Sequence, residues 1–126
     1  NNIYKPIILN AEDTSWPIIY PDAIISINLM HILPLEKISN FFKNISKLLK
    51  NNSLVFIYGP FIQNNTEISE SNLNFDKRLK EINPLWGIRK LEDIEKISKR
   101  FNLVIEKIIE MPANNLSIII RKKLSN

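Results

Sequence analysis

Ala23-Ile24-Ile25-Ser26-Ile27-Asn28, Leu54-Val55-Phe56-Ile57-Tyr58 and the segment between them decide the fold of this chain. Both runs are apolar without the alternation of a half-exposed strand. Such runs predict strands buried on both faces, as in a parallel sheet. Between them, Leu35, Ile38, Phe41, Phe42, Ile45, Leu48 and Leu49 recur at helical spacing, while Glu36, Lys37, Asn40, Lys43 and Lys47 fall opposite. This predicts an amphipathic helix. Pro34 opens it, since proline suits a first helical turn. Lys50-Asn51-Asn52 stops it with positive charge and residues that tolerate left-handed backbone. Strand, helix and strand in close succession form a βαβ crossover, which builds a parallel sheet.

Upstream, Ile7-Ile8-Leu9 follows Pro6 and reads as the end of a strand, and residues 11–22 read as a polar loop punctuated by Trp16-Pro17 and Pro21. Downstream, Gly59-Pro60 closes the second buried strand. Residues 61–74 read as the longest irregular stretch, and long loops in compact domains are commonly functional. Phe75, Leu79 and Ile82 predict a short helix ending before Pro84. Leu91, Ile94, Ile97 and Phe101 predict another, with acids in its first turn and Lys99-Arg100 in its last. Residues 103–111 and 116–121 read as strands around the turn Pro112-Ala113-Asn114-Asn115. Strands joined so tightly are antiparallel neighbours. The expected class is α/β, with parallel strands finished by a C-terminal antiparallel hairpin.

The 126 residues allow one domain. Cys is absent and His31 is the only histidine, which excludes disulfides, a thiol nucleophile and a His-rich metal site. Only Gly59 and Gly87 occur, too few for a glycine-rich phosphate loop. The net charge of +4 is no nucleic-acid footprint: the lysines are dispersed, and Ile, Asn and Lys, all with A/T-rich codons, make up 54 of the 126 residues. No nucleic-acid partner is expected. No apolar run approaches the ~20 residues of a membrane helix. No leader follows Asn1, and a soluble cytoplasmic protein is expected.

Five blocks carry a closer resemblance: Asn28-Leu29-Met30-His31-Ile32; Tyr58-Gly59-Pro60-Phe61; Ser71-Asn72 with Phe75-Asp76; Asn83-Pro84-Leu85-Trp86-Gly87-Ile88-Arg89; and Glu110 to Ser117 around Met111-Pro112-Ala113-Asn114-Asn115. In this order they resemble a family of methyltransferase-like proteins catalogued as a domain of unknown function. The resemblance covers about Ile7 to Arg121. It implies a Rossmann-like class I methyltransferase fold, here partial and represented by its C-terminal portion, with S-adenosylmethionine across the carboxyl ends of the parallel strands. The glycine-rich turn and the ribose-binding acid of that fold are absent from this sequence and are expected to precede Asn1, so these residues alone are expected to be inactive. The strand at Ala23 then becomes an apolar edge, which invites pairing with a preceding segment or with a second copy as a homodimer.

The resemblance also implies roles. His31 follows a buried strand at the ligand edge, where it serves as general base or packs under the cofactor. Asn28 and Leu29 stand where related enzymes contact the methionine portion, and Asn10 and Ala11 where they contact adenine. Nucleic-acid amine methyltransferases follow such an Asn with Pro-Pro and an aromatic residue. Leu29-Met30-His31 departs from that pattern and favours a small molecule or an oxygen acceptor. Trp16 covers the adenine or packs the loop. Tyr58, Phe61, Asn72, Asp76, Trp86 and Arg89 are candidates for the acceptor pocket, with Arg89 suited to an anionic group or, alternatively, paired with Asp76 or Glu92. Asn114-Asn115 forms the hairpin turn or points back over the acceptor. No metal ligand set is expected. A methyltransferase-like scaffold without catalysis is the alternative to an enzyme.

Overall fold

The computed structural model describes residues 2–17 and 19–123. The chain runs β1 (Ala23–Ile27), α1 (Leu35–Leu48), β2 (Leu54–Gly59), β3 (Phe61–Ile62), α2 (Glu70–Ile82), β4 (Arg89–Lys90), α3 (Leu91–Lys99), β5 (Leu103–Met111) and β6 (Asn115–Lys122). β1 pairs in parallel with β2, from Ala23 opposite Leu54 to Ile27 opposite Tyr58. β6 lies antiparallel between β2 and β5, so the sheet order is β1-β2-β6-β5. β3 and β4 form a separate two-residue parallel ladder, Phe61 opposite Arg89. This is the mixed α/β sheet that the sequence implies, a partial Rossmann-like fold.

α1 forms because its apolar positions share one face. Ile38, Phe41, Phe42 and Ile45 are buried there against Val55 and Ile57 of β2 and Ile118 and Ile120 of β6. Full burial of each such side chain contributes about 1.5–3 kcal/mol. Asn52 ends the connection in left-handed backbone at φ 69°, as its residue type allows. α3 adds Leu91, Ile94 and Ile97 to the same core. The polar loop before β1 is tied to α1. Asn40 Nδ2 donates to Glu12 O at 3.1 Å and the buried Asn44 Nδ2 to Asp13 O at 2.9 Å. Trp16 packs edge-on against Phe41, with ring centroids 5.7 Å apart.

Three expectations are corrected. Ile7-Ile8-Leu9 forms no strand: Ile7 and Ile8 are exposed, and among the described residues no strand edge is paired to them, so their backbone cannot enter a ladder. β1 is not buried on both faces. Ser26 is buried, but Ile25 and Ile27 are 71% and 62% exposed, because α1 and α3 cover one face of the sheet and β1 is an open edge. The irregular stretch ends earlier than its polarity implies. α2 begins at Glu70 because Ser69 Oγ accepts from the Asn72 N–H and caps the helix. No helix of the described residues is long and apolar enough to cross a membrane.

Candidate functional site

β5 is antiparallel to β6 and β6 to β2, so β5 runs in the same direction as β1 and β2. Their carboxyl ends therefore meet at one edge of the sheet. That edge carries Asn28 after β1, Gly59-Pro60-Phe61 at the end of β2 and the turn Pro112–Asn114 after β5. In open α/β sheets ligands bind at this edge.

Asn28 stands in left-handed backbone at φ 55°, and its N–H donates to Tyr58 O at 2.9 Å. Its exposed side chain folds toward Gly59, where an added Cβ would lie 3.3 Å from Asn28 Oδ1. Leu29 is half-buried against the core and shares an apolar groove with Leu9 and Trp16. Asn10 and Ala11 begin the turn before Trp16. Asn10 Oδ1 accepts from the Glu12 N–H at 2.9 Å, and its carbonyl accepts from Trp16 Nε1 at 3.0 Å. The Asn10 amide is thus half spent on its own turn.

His31 lies in a single 3-10 turn, Met30–Ile32, and is buried edge-on against Phe75 with ring centroids 5.2 Å apart. Burial holds its pKa below the ordinary 6.5, and the nearby Arg89 cation pushes it the same way. The imidazole is neutral at neutral pH, as a proton acceptor must be.

Arg89 does not pair with Asp76 or Glu92. Its Nη2 donates to Leu33 O at 2.5 Å and to Leu85 O at 2.7 Å, and its Nε donates to Met30 O at 3.3 Å. Burial lowers its pKa, opposed by Asp76 and Asp93, but a guanidinium stays charged in proteins. The cation is therefore engaged by main-chain carbonyls on both sides of His31. Gly87 N–H completes this brace by donating to His31 O at 3.0 Å. Asp76 holds the far end, accepting from the Ile88 N–H at 2.8 Å and pairing with Lys80 at 2.7 Å. Trp86 is half-buried in the same segment. Arg89 and Gly87 thus brace the His31 turn directly, and Asp76 anchors their segment through the Ile88 N–H.

Phe61, Asn72 and Asn114 meet elsewhere, around a cavity of about 200 Å³. Phe61 is buried, and Asn72 Nδ2 donates to Asn114 O at 3.3 Å, linking α2 to the hairpin turn. That turn has Ala113 and Asn114 at φ 61° and 60°, while Asn115 is extended at φ −97°. The left-handed pair is therefore one residue earlier than Asn114-Asn115. Tyr58 is half-buried in β2 opposite Ser117. The cavity wall also includes residues that were not candidates from the sequence, among them Gln63, Glu67, Glu110 and Met111. The last two adjoin Pro112-Ala113-Asn114 and were legible as its neighbours.

Residues 1–122 match the family described as "Protein of unknown function (DUF938)". The chain belongs to the DUF938 family. Solved structures share its fold. The mitomycin 7-O-methyltransferase MmcR matches with TM-score 0.75 at 15% identity, over 85% of this chain and 31% of that one. An O-methyltransferase family 2 protein from Planctomyces limnophilus DSM 3776, in complex with apigenin, matches with TM-score 0.76 at 14% identity, over 90% and 33%. LepI in complex with SAM matches with TM-score 0.74 at 13% identity, over 91% and 29%. The chain spans about a third of the length of these structures.

Proposed function

We propose that this DUF938 chain is part of an S-adenosylmethionine-dependent methyltransferase that acts on a small molecule. The observation that carries the reading is the placement of Asn28, Phe61 and the Asn114 turn at the carboxyl edge of a sheet with order β1-β2-β6-β5. The fold-level likeness to O-methyltransferases, and to LepI in its complex with SAM, supports it.

The residues present suit one side of a nucleoside cofactor. The exposed Asn28 amide and the half-buried Leu29 give neutral hydrogen bonding beside an apolar surface, and Asn10 with Ala11 would supply a second such pair. The bound cofactor supplies an activated methyl group, so the protein's task is chiefly positioning. Tyr58, Phe61, Asn72 and Asn114 would receive the acceptor. His31 would accept its proton at a ring nitrogen. Asp76, Trp86 and Arg89 would hold the turn that carries His31 and would not touch the acceptor. That role for Arg89 takes precedence over the anion-binding one, because its Nε and Nη2 donate to main-chain carbonyls.

Calorimetric titration of the full-length protein with S-adenosylmethionine tests the reading, and saturable binding is expected. Absence of binding by a folded protein would leave the non-catalytic scaffold, which the burial of His31 against Phe75 favours. His31→Ala is expected to lower turnover with little change in cofactor affinity.

A further inference from the structure

The cavity beside the hairpin turn differs in charge from the rest of the chain. The sequence carries 17 Lys and Arg against 13 Asp and Glu. Yet this cavity is lined by Glu67 and Glu110, and by no lysine or arginine among the described residues. Phe61 and Met111 supply its apolar wall, and Asn72 and Asn114 supply its amides.

We propose that this cavity is the acceptor site and that it takes a small amine-bearing molecule, rejecting carboxylates and phosphates. The proposal rests on the methyltransferase reading for the word acceptor, but not for the charge preference. Phe61 lies two residues beyond the end of β2 and Met111 ends β5, so the cavity opens at the ligand edge of the sheet. Its volume of about 200 Å³ is below the roughly 300–1,000 Å³ of drug-sized sites, which limits the ligand to a small one. An ammonium group would be drawn to a wall that carries two glutamates, and an anion would be repelled by it.

Two features could reverse this preference, and neither does. Arg89 is the cation that a substrate carboxylate would seek, but its guanidinium is bonded to three carbonyls around the His31 turn. The N-terminus of α2 borders the cavity, but the Asn72 N–H is already bonded to Ser69 Oγ, and Glu70 occupies its first turn. The partial charge of a helix end is about half a unit, against two full carboxylate charges.

Benzylamine, benzyl alcohol and benzoate probe the site with one ring and three head groups. Titrated into the full-length protein and followed by backbone amide NMR, benzylamine should shift Asn72, Met111 and Asn114. It should bind about tenfold more tightly than benzyl alcohol, and benzoate should produce no shifts there. In Glu67→Gln with Glu110→Gln the amine should lose that tenfold advantage while benzyl alcohol binds as before. Both glutamates are exposed, so the double variant should fold normally. Benzoate binding as tightly as benzylamine, an unchanged preference in the double variant, or no fragment binding up to millimolar concentration would each overturn the proposal. S-adenosylmethionine titration separates the two failures. Cofactor binding without amine preference overturns only the charge assignment. Amine preference without cofactor binding retains the ligand class and overturns the methyltransferase reading.

Discussion

Arg89→Met isolates the brace around His31, because methionine keeps most of the apolar stem and removes all three hydrogen bonds. Hydrogen bonds from a charged donor contribute about 1.5–3 kcal/mol each when well buried. Arg89 is only half-buried, so the lower end applies. The bond to Leu85 O is exposed and water replaces it at little cost. The 3.3 Å bond to Met30 O is long, and the 2.5 Å bond to Leu33 O is the strong one. The expected loss is therefore about 2–3 kcal/mol, a large share of an ordinary domain's stability of about 5–15 kcal/mol. Urea unfolding of the full-length protein, followed by circular dichroism, measures it as a lower midpoint with unchanged slope. A second readout is local. His31 is the sole histidine, so a single imidazole resonance reports its titration. Removing the neighbouring cation should raise the His31 pKa toward 6.5, with the burial contribution remaining. Arg89→Lys should keep that pKa low, since the charge stays, without recovering the stability that a planar fork provides. A stability loss below about 0.5 kcal/mol, or an unmoved His31 titration, would refute the assigned brace.

Gly87→Ala should cost about 1–3 kcal/mol: its φ is +153°, and a Cβ would lie 2.8 Å from Asp76 Oδ1. Differential calorimetry checks it, and an unchanged melting temperature would contradict the crowding. Ala113→Gly should stabilise by about 0.5–1 kcal/mol, because alanine pays for left-handed backbone at φ 61° and glycine does not. Ser26→Ala should be neutral or slightly stabilising, since Ser26 Oγ is buried without a partner among the described residues; a loss above about 1 kcal/mol would reveal a bond to that hydroxyl. Because His31 has a lower pKa folded than unfolded, the unfolded chain binds more protons between the two values. Its contribution is fully present above pH 6.5 and is lost as pH falls toward the folded pKa, and His31→Gln should flatten stability over that window.

Helical periodicity made α1 and α3 legible, unbroken apolar runs marked β1 and β2, and the turn between two strand-like segments marked the hairpin. α2 was legible only near its end. Leu79 is its one buried hydrophobic residue, so the segment from Glu70 to Asn74 shows no apolar stripe, and only the Ser69 cap marks where it starts. The edge position of β1 followed from the resemblance, but the apolar run alone did not announce the exposed face of Ile25 and Ile27, since it states what a strand can bury and not whether anything covers it. The candidate site divides in the same way. Phe61, Asn72 and Asn114 could each be named from their blocks, but their meeting at one cavity is a tertiary fact. The partners of Arg89 were not legible because they are main-chain carbonyls, which any residue possesses and no residue type announces.

The place of β6 in the sheet bears on how the chain comes to fold. Among the described residues β6 follows every other element, yet it is flanked by β2 on one side and β5 on the other. Until residues 115–122 have been synthesised, β2 has only β1 beside it, and Val55 and Ile57 have no neighbours from Ile118 and Ile120. The core therefore closes in one late, long-range step, and a nascent chain stalled before Asn115 would present a split sheet with two open flanks. Such species are slow to resolve and prone to association. For this chain, dependence on chaperones should be greatest just before the hairpin turn is made and should fall sharply once β6 is inserted.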